Sequence, residues 1–296
     1  MTSTHWKILL IYLGFTLVAT VLAFARHWLK PGADGESVWR KYPAYILINL
    51  GFLAACWLPL KLHVLTILLA VLGVLASWEL ARILIPPRQK ILFPIICLAL
   101  IISADFLDST TWFKVWLVIL VLSIAINTLT VQPTEYPQHI LLMAGCVIYI
   151  PLCLAVYIWI QQNDPSGFQA VFLYLVVATN DAFAQITGQL FGRRQLAPQV
   201  SPSKTIEGAV GGVFFACAMG IALSQATGFS YVTGLVFGFI LGLAGLVGDL
   251  TASMWKRILN IKIYSALLGA QGGVLDRFDS LFFAAPVFYL LLVIAS

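Results

Sequence analysis

Four short stretches carry residue types that could do chemistry. In GGVLDRFDS, residues 272–280, two glycines precede Asp276, Arg277 and Asp279, and a helix would place the two carboxylates one turn apart on the same side. In VGDLTASMWKRILN, residues 247–260, Asp249, Ser253, Lys256 and Asn260 recur at i, i+4, i+7 and i+11, so that carboxylate, hydroxyl and ammonium share one helical stripe. In LAPQVSPSKTIEG, residues 196–208, Ser201, Ser203, Lys204 and Thr205 stand just ahead of a helix start, where backbone N–H groups and the helix dipole favour an anion. In TNDAFAQITGQLFGRR, residues 179–194, Asp181 closes an uncharged run and shares a helical face with Gln185 and Gly188. Each stretch also has a plainer reading: first-turn acids complement a helix dipole, a Ser/Thr caps a helix, and a charge near a span end snorkels or pairs. Taken together they say more, because clustered carboxylates repel one another unless cations sit among them. Carboxylates, lysines, arginines and a hydroxyl-rich loop are the parts of metal-assisted phosphoryl or nucleotidyl transfer, which works by positioning and by neutralising phosphate charge. The glycines and the preceding strand of a P-loop are missing around Lys204, so that reading fails. His5, His27, His63 and His139 lie outside the constellation, and no Ser-His-Asp arrangement or nucleophilic cysteine suggests covalent catalysis.

The elements that must hold these residues are hydrophobic helices. The chain is 61% apolar and 10% charged, with 19 Phe, 10 Tyr and 9 Trp, more than one soluble core can bury. Runs free of Asp, Glu, Lys and Arg cover 8–25, 42–60, 62–78, 91–104, 115–134, 136–163, 165–180, 208–248 and 280–296. A membrane span needs roughly 20 residues, and 208–248 is long enough for two, broken near ATGFS at 226–230. The expectation is an all-α polytopic membrane protein of about ten transmembrane helices. The runs are continuous and lack the period-two alternation of a β-barrel. Residues 8–25 could be a signal peptide ending at Ala23-Phe24-Ala25, but the run is long for one and RHWLK follows directly, which favours an uncleaved first span.

With the N-terminus outside, ten spans leave only Lys7, Lys61 and Lys114 of the 17 Lys and Arg on the outer side. The motif loops are then cytoplasmic. Composition divides the chain into N-terminal transmembrane helices, 1–165, and C-terminal catalytic helices with cytoplasmic motif loops, 166–296. Before that boundary only Glu79, in SWELARIL, resembles a motif residue. Gly234, Gly238, Gly242, Gly245 and Gly248 form a small-residue stripe, and Gly208 and Gly212 repeat it, a signature of close helix packing. The cysteines, Cys56, Cys97, Cys146, Cys153 and Cys217, fall in apolar runs without C-x-x-C spacing, so neither a zinc site nor a disulfide framework is expected.

At these residues the sequence resembles the phosphatidate cytidylyltransferase (CDP-diacylglycerol synthase) family. Residues 253–279, SMWKRILNIKIYSALLGAQGGVLDRFD, follow its S-x-x-K-R, K-D, H-G-G-x-x-D-R-x-D signature without a gap, and 190–212 are similar to its SPgKT loop. Asp181 takes the place of its intramembrane aspartate. The likeness is strong over the C-terminal half and rests on helix pattern and Glu79 elsewhere. It implies attack by the phosphate of a lipid such as phosphatidate on the α-phosphorus of CTP, giving CDP-diacylglycerol and pyrophosphate. It also implies Mg²⁺ on Asp249 and Asp276, with room for a second cation such as K⁺. Asp249, Asp276, Lys256, Arg277 and Asp279 would be catalytic; Ser201, Lys204, Thr205, Ser253, Arg257, Lys262 and Asp181 would bind substrate. The expected setting is a bacterial inner membrane, with a homodimer as the candidate assembly and no nucleic-acid partner.

Two positions depart from the signature. Ile263 stands where the family has Asp and can neither bind a metal nor accept a proton; Gln271 stands where it has His and can hydrogen-bond but not titrate. A phosphate monoester, with a second pKa of roughly 6, is already largely anionic and needs no strong base. Two rival readings remain at this level: a pseudoenzyme that binds CTP or anionic lipid, and a transporter using Asp181 and Asp249 as an ion path. A transporter site would sit near the midplane between repeats, and no repeat is visible.

Overall fold

The structure is a computed structural model. It describes the backbone of residues 3–29, 34–58, 63–84, 91–130, 140, 144–268 and 272–295, and their side chains except at 25–29, 34–45, 126–130, 144 and 146. Gln271 and His139 lie outside the described residues, and the side chains of His27 and Cys146 are not described.

The described chain is helical apart from one small hairpin. In order it runs α1 (Ser3–Leu29), α2 (Asp34–Trp57), α3 (Val64–Leu84), α4 (Leu92–Phe106), α5 (Ser109–Thr130), α6 (Ile150–Asn163) and α7 (Phe168–Phe191). Strands β1 (Gln195–Ala197) and β2 (Ser201–Thr205) follow, then α8 (Ile206–Ser224), α9 (Tyr231–Ile258) and α10 (Val274–Ala295). Among the described residues six helices are long and apolar enough to cross a membrane: α1 through Phe24, α3, α7, α8, α9 and α10. Shorter apolar helices cover Ile46–Trp57, Leu92–Phe106, Ser109–Ala125 and Val147–Asn163. In hydrocarbon a helix alone satisfies every backbone donor and acceptor along one segment, which is why continuous apolar runs take this form.

Some helix starts carry a side-chain cap, while those of α4, α6 and α7 have none. Asp108 precedes α5 and accepts the N–H of Thr111 at 2.9 Å, and hydrogen bonds from Thr111 hold its carboxyl below the usual range. Thr205 caps α8 by accepting from the N–H of Gly208 at 3.1 Å, and Ser230 caps α9 through Thr233 at 3.0 Å. The break expected near 226–230 lies between α8 and α9.

Two compact units interleave along the chain. One comprises Met1–Leu53, Gly167–Lys262 and Asp279–Ser296; the other comprises Ala54–Ser166 and Ile263–Phe278. The first is organised by α7, α8 and α9. Gly220 of α8 and Gly234 of α9 meet backbone to backbone, as the small-residue stripe predicts. Buried polar groups find one another: Tyr174 donates to Asn49, and its ring stacks on Phe52 at 4.1 Å between centroids.

The second unit packs α3, α4 and α6 around aromatic residues whose indole N–H groups reach backbone carbonyls. Trp112 donates to Leu100 at 2.8 Å, Trp159 to Ala104 at 3.2 Å and Trp116 to Val147 at 2.8 Å. A buried Trp needs such a partner, and here it also ties neighbouring helices together. His63, outside the motif stretches, pairs with Asp105 in this unit.

Candidate active site

The site is built where α7, α9 and the body of α10 meet within the first unit. Helix α9 brings Gly245 and Gly248 to the turn just before Asp249. A Cβ on Gly248 would lie 2.8 Å from the carbonyl oxygen of Asp279 and 2.7 Å from Cβ of Phe283. Only glycine lets α10 come this close, and the approach seats Asp279 and Ser280 beside the turn that carries Asp249. Gly245 likewise faces Asn180 of α7 and Ser280 of α10.

Three carboxylates therefore share one neighbourhood. Asp279 is 6% exposed and feels the charges of Asp249 and Asp181 as well as those of Lys256 and Lys204. Asp181 accepts a hydrogen bond from the Ser280 hydroxyl at 3.1 Å and faces the Asn180 amide at 3.4 Å. Asp249 pairs with Lys204, whose side chain is 19% exposed. Three carboxylates near two lysines, Asp279 buried and the other four half-buried, leave negative charge that a further cation would relieve.

Lys204 reaches Asp249 because the SPSKT segment is a strand. The sequence predicts a loop here; residues 195–205 instead form an antiparallel hairpin, with Gln195 opposite Thr205 and Ala197 opposite Ser201. The hairpin is fastened at several points. Glu207, in the first turn of α8, accepts from the N–H groups of Arg193 and Arg194 at 3.0 and 3.3 Å. The N–H of Ile206 donates to the carbonyl of Arg194 at 2.9 Å, and Nε of Arg257 donates to the carbonyl of Val200 at 2.9 Å. Arg257 thus connects the end of α9 to the hairpin turn. Thr205, spent as a helix cap, is fixed rather than free to swing.

Asp249, Ser253 and Lys256 share a stripe of α9 as their spacing predicts, but Asn260 does not continue it. Helix α9 ends at Ile258, and Asn260 has φ of 54°, a left-handed residue that turns the chain away. Ser253 and Lys256 are half-buried; Arg257 and Lys262 are exposed, and Ser201 is half-buried on the hairpin.

Asp276 and Arg277 belong to the second unit, in the first turn of α10. One carboxylate oxygen of Asp276 accepts from the N–H groups of Tyr264 at 2.9 Å and Gly273 at 3.0 Å. Ile263, the first departure from the signature, is 51% exposed in this unit. Asn180 and Ser280, which hold Asp181, were not singled out by sequence reasoning. Their signal was present, since each is an uncharged polar residue next to a motif aspartate, Asn180 beside Asp181 and Ser280 beside Asp279.

Known proteins bear on what this arrangement is for. The model of the cytidylyltransferase family matches residues 40–295. Phosphatidate cytidylyltransferase of Bacillus subtilis (strain 168) is 33% identical over 179 residues, 60% of this chain and 66% of that protein. Phosphatidate cytidylyltransferase of Aquifex aeolicus (strain VF5) is 37% identical over 150 residues, 49% of this chain and 55% of that one. That of Rickettsia typhi (strain ATCC VR-144 / Wilmington) is 31% identical over 212 residues, 68% of this chain and 92% of that one. The match thus spans less than two thirds of the Bacillus and Aquifex relatives and nearly all of the Rickettsia one. With the hairpin, the α9 stripe and the first turn of α10 all inside the matched range, the chain belongs to the cytidylyltransferase family.

Proposed function

We propose that the protein transfers CMP from CTP to a lipid phosphate such as phosphatidate, giving a CDP-activated lipid, CDP-diacylglycerol in that case, and pyrophosphate. The observation that carries this reading is the convergence of Asp181, Asp249 and Asp279 with Lys204 and Lys256 in one compact unit. The names of the relatives supply the substrates.

A divalent cation suits this donor set. Among the described residues no three His, Cys, Asp or Glu side chains come together as a ready-made cage. Mg²⁺ does not ask for one, since it is commonly held by one or two carboxylates, waters and substrate phosphates. On the sequence motif alone, Asp249 and Asp276 are the proposed ligands. When bound, the ion would polarise the phosphoryl oxygens of CTP and offset charge developing on pyrophosphate.

The chain's own residues do the rest. Lys204 and Lys256 hold the triphosphate, Lys204 exchanging its pairing with Asp249 for a phosphate oxygen. Ser201 and Ser253 donate hydroxyl hydrogen bonds, Arg257, Lys262 and Arg277 supply further positive charge, and Thr205 keeps the hairpin registered on α8. An oxygen of the lipid phosphate forms the bond to the α-phosphorus while the α–β bridging bond breaks and its electron pair leaves with pyrophosphate. No base is required to start this, because the attacking oxygen is already anionic near neutral pH. Asp279 and Asp181 fix the electrostatic environment of Asp249. The proposed setting is a protein of about ten spans in a bacterial inner membrane, with the site at its cytoplasmic side and homodimerisation as an assembly to test.

Purified protein in mixed micelles with CTP, Mg²⁺ and phosphatidic acid tests this directly. Stoichiometric CDP-diacylglycerol and pyrophosphate are expected. CTP binding without either product, across several phospholipid acceptors, would overturn the reading in favour of a binding protein.

A further inference from the structure

Helix α10 opens the second unit's motif turn, and its first N–H groups need acceptors that its own backbone cannot supply. The residue at the cap position is Gly273, which has no side chain to offer one. Asp276, three residues into the turn, returns an oxygen to the N–H of Gly273 at 3.0 Å, the acidic half of a capping box. The other half comes from α3. Glu79 accepts the N–H of Val274 at 2.9 Å with one carboxylate oxygen and the N–H of Leu275 at 3.0 Å with the other. The hydroxyl of Ser265 donates to Glu79 at 2.6 Å.

Glu79 is 2% exposed. A carboxylate so deeply buried is costly unless it is hydrogen-bonded, and here three donors and the positive end of a helix meet it. The fit is reciprocal, because a Cβ on Gly273 would lie 2.6 Å from both Glu79 oxygens. Glycine at 273 is what admits the distant carboxylate, and the distant carboxylate replaces the cap that glycine lacks.

We propose that Glu79 is a positioning residue for the Asp276–Arg277 turn, supplying the cap of α10 from another helix and so fixing where the Asp276 carboxylate stands. The consequence for catalysis rests on the cytidylyl-transfer reading above; the cap itself does not.

A double-mutant cycle on the full-length protein in detergent separates the two. Glu79→Ala should speed amide exchange in the first turn of α10 by about tenfold, the size of a lost helix cap. It should lower kcat for CDP-lipid formation by about tenfold while leaving the KM for CTP within about threefold. Gly273→Ser alone should do comparable damage, because its side chain collides with Glu79. The Glu79→Ala/Gly273→Ser pair should recover protection and most of kcat, since the serine then caps the helix locally in space the glutamate has left. Glu79→Gln guards against a truncation that fails to fold: it keeps the shape but faces one N–H with a donor, and should fall between wild type and Glu79→Ala. Wild-type exchange and turnover in Glu79→Gln, or a double variant no better than the worse single one, would overturn the proposal. If the exchange pattern follows the cycle but wild-type protein makes no CDP-lipid, the function reading fails and the cap is supported.

Discussion

Lys204 and Asp249 are each other's competitors for the groups the proposed reaction needs, the lysine for a phosphate and the aspartate for a cation. Their side chains are 19% and 34% exposed, so the pair is partly desolvated and neither charge is neutral to lose. Lys204→Met is expected to lower kcat/KM for CTP by roughly 10²-fold, the loss typical of one charge-stabilising contact, as measured by pyrophosphate release. Ile263→Asp makes the opposite kind of prediction. The position is 51% exposed and the substrate needs no base, so restoring the family's carboxylate should shift stability by under about 0.5 kcal/mol and turnover by under about threefold. A large gain in CDP-lipid rate would show instead that the absent carboxylate does chemistry.

At the scale of elements, the close seating of α10 on α9 is what turns separated motifs into one cluster. Gly248→Ala should therefore cost about 1–3 kcal/mol in detergent unfolding, because its new methyl meets the carbonyl of Asp279, which cannot rotate away. Gly14→Ala, with nothing within 4 Å of the added carbon, should be neutral or slightly stabilising. This contrast marks what the sequence could and could not convey. Continuous apolar runs announced the helices, and the four-residue glycine spacing announced a tight packing face, because both signals are local and periodic. The hairpin around Lys204 was not legible, since a three-residue and a five-residue strand are too short to show alternation. The end of the α9 stripe at Ile258 was hidden for a related reason: spacing alone extends a helix until geometry stops it, and Asn260 stopped it. Glu79 stood out in the sequence as an isolated acid, but its partners at Ser265, Val274 and Leu275 are joined to it only by folding.

For the whole molecule the question is which side of the membrane the chemistry occupies. The proposed orientation puts Lys7, Lys61 and Lys114 outside and the remaining Lys and Arg inside, a bias that only a particular assignment of loops produces. The hairpin then faces the cytoplasm, where CTP is made, and the turn at Asp164–Ser166 between α6 and α7 faces outward. Ser203 and Ser166 are both exposed, so each can carry a cysteine reporter without disturbing packing, and the remaining cysteines among the described side chains are buried or half-buried. In sealed right-side-out vesicles, a membrane-impermeant maleimide should label Ser166→Cys at once and Ser203→Cys only after permeabilisation. In inverted vesicles the order should reverse. Labelling of Ser203→Cys from the outside would place the lysine-bearing hairpin away from its nucleotide and reverse the loop assignment, whatever the turnover of the purified protein.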